Sequence, residues 1–296
     1  LGVSSAARVD WKSFESVADL IIRAGLEEDR VDRDAATRAL AELGDRQAVC
    51  RVVAREKLVL AGWRAFEMVF EILGRAVAER ETEEGRLVGP GHRLGSVRGC
   101  ASVILRGERL ALNLLSRMCG TATLTRRFVD AVSGTGVEIL DTRKTTPAHR
   151  ALQRYAVRAG GGVNHRFDLS DMAMIKDNHL AAAGGEEHLE TLVRAVRASG
   201  ARVEVEVDCI QQLERVLPLL PDRILLDNMA PKELARAVEM AEGSSCYLEA
   251  SGGMGLESAR SVAETGVDGI SVGALTHSAP VSDIGLDWGE LEAAGS

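Results

Sequence analysis

Apolar positions change their rhythm along this chain, and each change predicts a different element. Over residues 11–24, Trp11, Phe14, Val17, Ala18, Ile21 and Ile22 recur at helical spacing behind Asp10, a side chain suited to capping a helix start. The next stretch, GLEEDRVDRDAATRAL, is charged and loop-like before it becomes compatible with a helix. Residues 47–61 (QAVCRVVAREKLVLA) hold two aliphatic, β-branched runs and predict strands. Ala65, Phe66, Val69, Phe70 and Leu73 then mark an amphipathic helix over 63–74 that stops at Gly74. Glycine-punctuated short runs over 83–109 predict small antiparallel strands joined by turns. Residues 1 to about 108 thus predict a compact α+β domain.

A long helix follows over 108–132, with Ala111, Leu114, Leu115, Met118, Ala122, Thr125, Val129 and Val132 at three- and four-residue steps and Gly120 tolerated inside it. Arg109 and Asn113 at its start read, from spacing alone, as exposed polar residues. From 137 onward short aliphatic runs recur: VEIL (137–140), MAMI (172–175), VEVEV (203–207), RILL (223–226), CYLEA (246–250) and GISV (269–272). Helical patterns at 186–198, 210–217, 231–242 and 256–265 separate the later ones. Strand alternating with helix implies parallel strands and right-handed crossovers. The fold class is α/β, with a (β/α) barrel over 111–279 as the main expectation and an open doubly wound sheet as the alternative. No Gly-x-Gly-x-x-Gly opens a helix after the first strand, which counts against a dinucleotide-binding sheet.

A barrel predicts functional residues just past the carboxyl ends of its strands. Reading there gives Asp141–Arg143–Lys144, Lys176–Asp177–Asn178, Glu206–Asp208, Asp227–Asn228, Ser251–Gly252–Gly253 and Gly273–Ala274. Any one alone is weak, since Asp and Asn commonly cap the helix that follows. Together they point to a site.

Charge sharpens this. The chain carries a formal net charge of −8, which disfavours bulk nucleic-acid or membrane-surface binding. Against that balance, Asp141–His179 holds seven fixed cations (Arg143, Lys144, Arg150, Arg154, Arg158, Arg166, Lys176) and four acids. Most charge runs are solvated faces. Here turn-forming glycines interrupt the cations, which flank short apolar runs and paired amides, so a pocket for a small, multiply anionic ligand is the sharper reading. Arg150, Arg154 and Arg158 fall on a helix predicted over 147–159, with Thr146–Pro147 as cap and first residue and Gly160 as its C′ stop. They read as its solvated face.

The glycine-rich ends ASGGMG and VGAL are suited to a phosphate, whose oxygens backbone N–H groups can approach there; simple tight turns are the plain alternative. Glu206 and Asp227 follow adjacent strands, have no evident Lys or Arg partner in the sequence, and would suit Mg²⁺ beside bound phosphates; capping or ordinary ion pairing serves equally. Five scattered cysteines without a CxxC read as reduced thiols of a cytoplasmic protein, mostly small core residues. No apolar run approaches a membrane span, and the first residues lack a basic-then-apolar secretory leader.

The motifs DTRKTTP, YAVRAGGGVNHR, IKDNH, VEVEVD, LLDN, SGG and VGALTHS occur in that order. In them the chain resembles the quinolinate phosphoribosyltransferase family over nearly its whole length, most strongly from Arg106 to His179 and from Val203 to Ser278. It departs from the family pattern in EEDRVDRDAAT, at Ala148–His149 where Gly–Leu is common, and at Cys119 where Ser is common. The resemblance implies an N-terminal α/β sandwich domain (1–110), an incomplete α/β barrel of the type II phosphoribosyltransferase kind (111–279), and a tail (280–296) that returns to the first domain. It implies a cytoplasmic homodimer in which Arg109 of one subunit enters the other's site. The reaction it implies joins quinolinate to phosphoribosyl pyrophosphate with Mg²⁺, giving nicotinate mononucleotide, pyrophosphate and carbon dioxide in NAD biosynthesis. Arg109, Arg143, His165, Arg166 and Lys176 would hold the two carboxylates. Lys144 would contact the donor or the adjacent carboxylate. Glu206 and Asp227 would bind ribose hydroxyls or the metal, and Ser251, Gly252, Gly253, Gly273 and Ala274 the 5-phosphate. Lys144, Lys176, Glu206 and Asp227 are the expected catalytic set.

Three rivals remain at this point. One is a related phosphoribosyltransferase, from a molybdenum-transport gene context, with a changed aromatic acid. Another is a Schiff-base aldolase barrel using Lys144 or Lys176. The last is a non-enzymatic sensor of phosphorylated metabolites, which would not need Glu206 and Asp227.

Overall fold

The structure, a computed structural model, describes residues 11–42 and 44–292. Asp10, expected to cap the first helix, lies outside the described residues. The elements in chain order are α1 (Trp11–Glu28), α2 (Ala35–Glu42), β1 (Gln47–Ala54), β2 (Leu58–Val59), α3 (Trp63–Leu73), β3 (Ala76–Arg80), β4 (Leu87–Val88), β5 (Arg93–Cys100) and α4 (Ala101–Ala131). Then come β6 (Glu138–Leu140), α5 (Arg150–Ala159), β7 (Ala173–Ile175), α6 (Asp177–Ala183), α7 (Leu189–Ala198), β8 (Val203–Val207), α8 (Ile210–Val216), β9 (Arg223–Asp227), α9 (Pro231–Met240), β10 (Tyr247–Ser251), α10 (Leu256–Ala263), β11 (Gly269–Ser271), α11 (Ala274–His277) and β12 (Ile284–Glu292).

The chain divides into two compact units. Of the described residues, the first gathers those up to 126, 145–161 and those from 275 onward. Its sheet has strand order β12-β1-β5-β3 with antiparallel neighbours throughout. Helix α3 buries Trp63, Phe66 and Phe70, each worth about 2–3 kcal/mol. Its start is held by Glu84, whose carboxylate accepts the Gly62 and Trp63 N–H groups at 3.0 and 2.8 Å. Gly95 on β5 leaves room for the Trp63 ring, since a Cβ there would lie 2.3 Å from its Cη2. Helix α5 belongs to this unit and packs on α1, with the Phe14 and Tyr155 ring centroids 5.1 Å apart.

Several boundaries differ from those the sequence predicted. Helix α1 runs on to Glu28, and strand β3 and helix α6 were not anticipated. Helix α4 begins at Ala101, not 108, because Asp45 caps it from a distance: its carboxylate accepts the Ser102 N–H at 3.1 Å and hydroxyl at 2.6 Å. The boundary drawn at 110/111 therefore falls inside one continuous helix, which stays with the first unit through Arg126. Gly120 is required there, not merely tolerated: a Cβ would lie 1.8 Å from the Pro280 carbonyl oxygen. Helix α5 starts at Arg150, so Thr146 is not its cap. The Thr146 N–H donates instead to Gln153 Oε1 at 2.9 Å, and Ala148 turns the chain with φ 63°. At its far end Gly160 stays right-handed (φ −70°), and Gly161 (φ 96°) takes the left-handed position expected of Gly160. The last element, β12, is a nine-residue strand paired along β1 in the first unit.

The second unit holds residues 127–144 and 162–274. Its six strands are all parallel, in the order β6-β11-β10-β9-β8-β7. The last strand returns beside the first, which is the winding of a barrel and not of a doubly wound sheet. No ladder joins β6 to β7, so the barrel is incomplete; a one-residue parallel bridge between Leu140 and Val163 extends the β6 side.

Candidate active site

Parallel register stacks the inward side chains of the barrel in layers. Lys176 lies just past β7, whose pairing sets Ile175 beside Val205, so it falls beside Glu206 of β8; Asp227 of β9 is level with Ser251 of β10. These four, with Ser271 of β11, face the carboxyl end. Glu204, two residues before Glu206, stands beside Met174, and the register sets Leu225 beside both Glu206 and Glu249. Alternation along each strand puts Glu204 and Glu206 on one face, and likewise Glu249 and Ser251.

Over this face lies a cavity of about 360 Å³ lined by Thr142, Arg143, Lys144, His165, Arg166, Met174, Lys176, Glu206, Leu225, Asp227, Glu249, Ser251 and Ser271. Of the residues expected at the site, Arg143, Lys144, His165, Arg166, Lys176, Glu206, Asp227 and Ser251 meet here. Gly252, Gly253, Gly273 and Ala274 do not line it, but they follow β10 and β11, adjacent strands of the sheet. Gly252 (φ 93°) and Gly253 (φ 55°) are both left-handed, and a Cβ on Gly252 would come within 2.2 Å of Asn228 Oδ1. Arg109 lies exposed on α4 in the first unit and is not among the lining residues. A second cavity, of about 340 Å³, shares Glu206 and Asp227 but opens between the outward residues Val205 and Val207 of β8 and the α6 and α8 helices.

Asp141 is not among the residues that line this cavity. It is fully buried, and its carboxylate accepts the His165 N–H at 2.8 Å and an Asn164 side-chain N–H at 2.5 Å. It thereby fixes the 164–166 turn that carries His165 and Arg166. Arg166 donates to the Met172 carbonyl oxygen at 2.8 Å. Burial lowers the Arg166 pKa, the nearby Glu204 charge opposes that, and Arg143 adds to it.

Glu206 is not partnerless, as its sequence neighbourhood implied. It forms an ion pair with Lys176, because the β7–β8 register sets the two side by side. Asp227 accepts an Asn228 side-chain N–H at 2.7 Å.

The sequence reading missed Glu204 and Glu249. Both are fully buried and lie at 3.3 and 3.1 Å from His165 Nε2. Burial disfavours charge on this imidazole, but the two carboxylates outweigh it and push its pKa up to about 9. Burial also raises the Glu204 pKa. The Arg166 N–H donates to His165 Nδ1 at 2.7 Å and competes with a second ring proton, so the extra proton belongs to the His165–Glu204–Glu249 cluster as a whole. The missed signal was the spacing: each acid precedes an expected site residue by two, and so shares its face.

Among the described residues no helix is long and apolar enough to cross a membrane. The family model for the quinolinate phosphoribosyl transferase C-terminal domain matches residues 121–287, and that for its N-terminal domain matches residues 34–119. The carboxylating nicotinate-nucleotide pyrophosphorylase of Mycobacterium leprae is 44% identical over 282 residues, 93% of this chain and 98% of its own length. The human protein of that name is 39% identical over 248 residues, 81% of this chain and 82% of its own. The solved nicotinate-nucleotide pyrophosphorylase of Francisella tularensis superposes with a TM-score of 0.86 at 32% identity, covering 97% of this chain and all of that one. With two domain models spanning most of its length and relatives matched nearly end to end, the chain belongs to the quinolinate phosphoribosyltransferase family.

Proposed function

We infer that the chain transfers the phosphoribosyl group of phosphoribosyl pyrophosphate to the ring nitrogen of quinolinate, with loss of one carboxylate as carbon dioxide. The products are nicotinate mononucleotide and pyrophosphate, the step that carboxylating nicotinate-nucleotide pyrophosphorylases are named for. The observation that carries this reading is the meeting of Arg143, Lys144, Arg166 and Lys176 with Glu206 and Asp227 on one cavity. Four cations suit a dicarboxylate and a pyrophosphate, and arginine grips a carboxylate with two parallel bonds.

The chemistry follows from the charges. As pyrophosphate leaves the anomeric carbon, positive charge develops on the sugar, and Glu206 and Asp227 face the cavity where it forms. The quinolinate nitrogen attacks with its own lone pair, so no general base is required. The ring then becomes cationic and stabilises the electron pair left on the carbon beside the nitrogen when its carboxylate departs as carbon dioxide, and that carbon takes up a proton from solvent. Arg143, Arg166 and Lys176 hold the dicarboxylate, and Lys144 meets the donor or the adjacent carboxylate. Ser251 with the Gly252–Gly253 and Gly273–Ala274 backbone receives the 5-phosphate.

The hard oxygen donors of Glu206 and Asp227 line one cavity and fit Mg²⁺, which is held by one or two carboxylates together with substrate phosphates. Bound there, the ion would neutralise the leaving oxygens. Arg109 completes the site from a second copy of the chain in a homodimer. A Schiff-base role suits Lys176 poorly, since its ammonium is paired with Glu206.

Product analysis with quinolinate, phosphoribosyl pyrophosphate and Mg²⁺ tests the reaction: carbon dioxide and nicotinate mononucleotide should appear together, and the absence of both would refute it. Mixing Arg109→Ala with Arg143→Ala chains should restore part of the activity through hybrid dimers. No recovery despite proven subunit exchange would refute the shared site.

A further inference from the structure

Two fully buried carboxylates at a pocket for a dianion need an explanation, Glu249 among its lining residues and Glu204 beside His165. Apolar side chains of similar size would fill the same space at no electrostatic cost. Glu204 and Glu249 approach one nitrogen, His165 Nε2, from two different strands, and the ring itself is almost wholly enclosed (side chain 5% exposed). Its other nitrogen takes the Arg166 N–H at 2.7 Å. Both ring nitrogens are therefore engaged within the protein, and the imidazole keeps no N–H to offer a ligand carboxylate. This departs from the direct grip expected of His165. The next residue, Arg166, also lines the cavity, and its guanidinium donates to the Met172 carbonyl oxygen.

We propose that Glu204 and Glu249 are positioning residues: they clamp His165 at Nε2, and through the Nδ1–amide contact they fix where Arg166 presents its guanidinium. Asp141 holds the same turn from the other side, through the His165 backbone N–H. Arg223 lies 3.2 Å from Glu249 and supplies the counter-charge that keeps this acid in place. The donor atoms of His165, Glu204 and Glu249 lie within 4.8 Å of one another, a set that a divalent transition-metal ion could use. Arg223 beside Glu249 and the four cations lining the cavity oppose such an ion.

The proposal rests on the reading of the pocket as a quinolinate site, so wild-type turnover is measured first; its failure would refute that reading by itself. Glu204→Gln and Glu249→Gln keep volume and remove charge. Each should raise both the KM and the directly measured Kd for quinolinate by roughly tenfold, as expected for a misplaced binding group. The KM for phosphoribosyl pyrophosphate should stay within about twofold and kcat should change less than the quinolinate KM. Because the acids act through Arg166, Glu249→Gln combined with Arg166→Ala should bind quinolinate no worse than Arg166→Ala alone. Additive losses, an equal rise in both KM values, or unchanged quinolinate binding would overturn the proposal. So would zinc binding by the wild type that Glu249→Gln abolishes without altering quinolinate affinity. If one glutamine variant fails to fold, the other carries the same test from its own strand.

Discussion

Replacing Asp141 by alanine should unfold the site from beneath without touching a residue that lines it. The carboxylate is fully buried and accepts hydrogen bonds from the His165 N–H at 2.8 Å and the Asn164 side chain at 2.5 Å. Hydrogen bonds to an ionised group contribute about 1.5–3 kcal/mol each. Asn164 is only half-buried and can turn towards water, whereas the His165 N–H is left stranded inside. The expected loss is therefore about 3–4 kcal/mol, near one full charge-assisted bond plus a partial one. At about 2–4 °C per kcal/mol for a chain of this size class, the unfolding midpoint should drop by roughly 10 °C. Asp141→Asn keeps the shape and one accepting oxygen, and Asn164 can rotate to meet its NH₂, so about 1–2 kcal/mol should be lost. Thermal and urea unfolding of the three proteins, followed by both circular dichroism and tryptophan fluorescence, measures this; non-coincident transitions would mean the two units melt separately. An Asp141→Ala midpoint within about 1 kcal/mol of wild type, or an asparagine variant as weak as alanine, would refute the assignment of Asp141 as the anchor of the 164–166 turn.

Three further outcomes follow from the same structure. Gly252→Ala forces a Cβ to within 2.2 Å of Asn228 Oδ1 at a left-handed φ of 93°, so the KM for phosphoribosyl pyrophosphate should rise about tenfold or more while quinolinate binding alone is little changed; a wild-type KM would show that this loop does not meet the 5-phosphate. The His165 pKa is raised from 6.5 to about 9, so its contribution to stability is fully present below pH 6.5 and is lost as pH rises through about 9, by about 3 kcal/mol at most. Melting of wild type and His165→Gln across that window should show a steeper loss in wild type, and parallel curves would count against the cluster. Four of the five cysteines are buried and Cys209 is half-buried, with burial pushing the Cys50 thiol up to about 12; native protein should therefore release one thiol readily to a disulfide reagent, and rapid reaction of several would contradict the core packing.

The parallel half of the fold was legible because each strand is a short aliphatic run followed by a reactive polar residue, and period-two and period-3.6 patterns do not overlap there. Lys176, Glu206, Asp227 and Ser251 could be placed because a barrel gathers strand ends. What could not be seen depends on long-range contacts. The start of α4 is set by Asp45, 57 residues before Ser102, and no local pattern points that far. The turn at 146–149 looked like a helix start because Thr-Pro is a good one, but Gln153 and a left-handed Ala148 prevail. Ala148 stands where the family commonly has Gly, the residue that this φ favours. Glu204 and Glu249 were hidden by their strands, where an acid reads as a solvated edge until the register shows which face is inside.

The first unit is assembled from three separate stretches, and this has a kinetic consequence. Strand β12 is an outer strand of the β12-β1-β5-β3 sheet, yet it is synthesised after every residue of the parallel barrel. Until it emerges, β1 presents an open row of backbone donors and acceptors, the kind of edge that captures a neighbouring chain. During translation this unit must therefore wait, half-built, while the barrel residues pass. A chain shortened before Ile284 should fail less by losing activity than by aggregating through β1, and a peptide copying 284–292, supplied in trans, should suppress that aggregation.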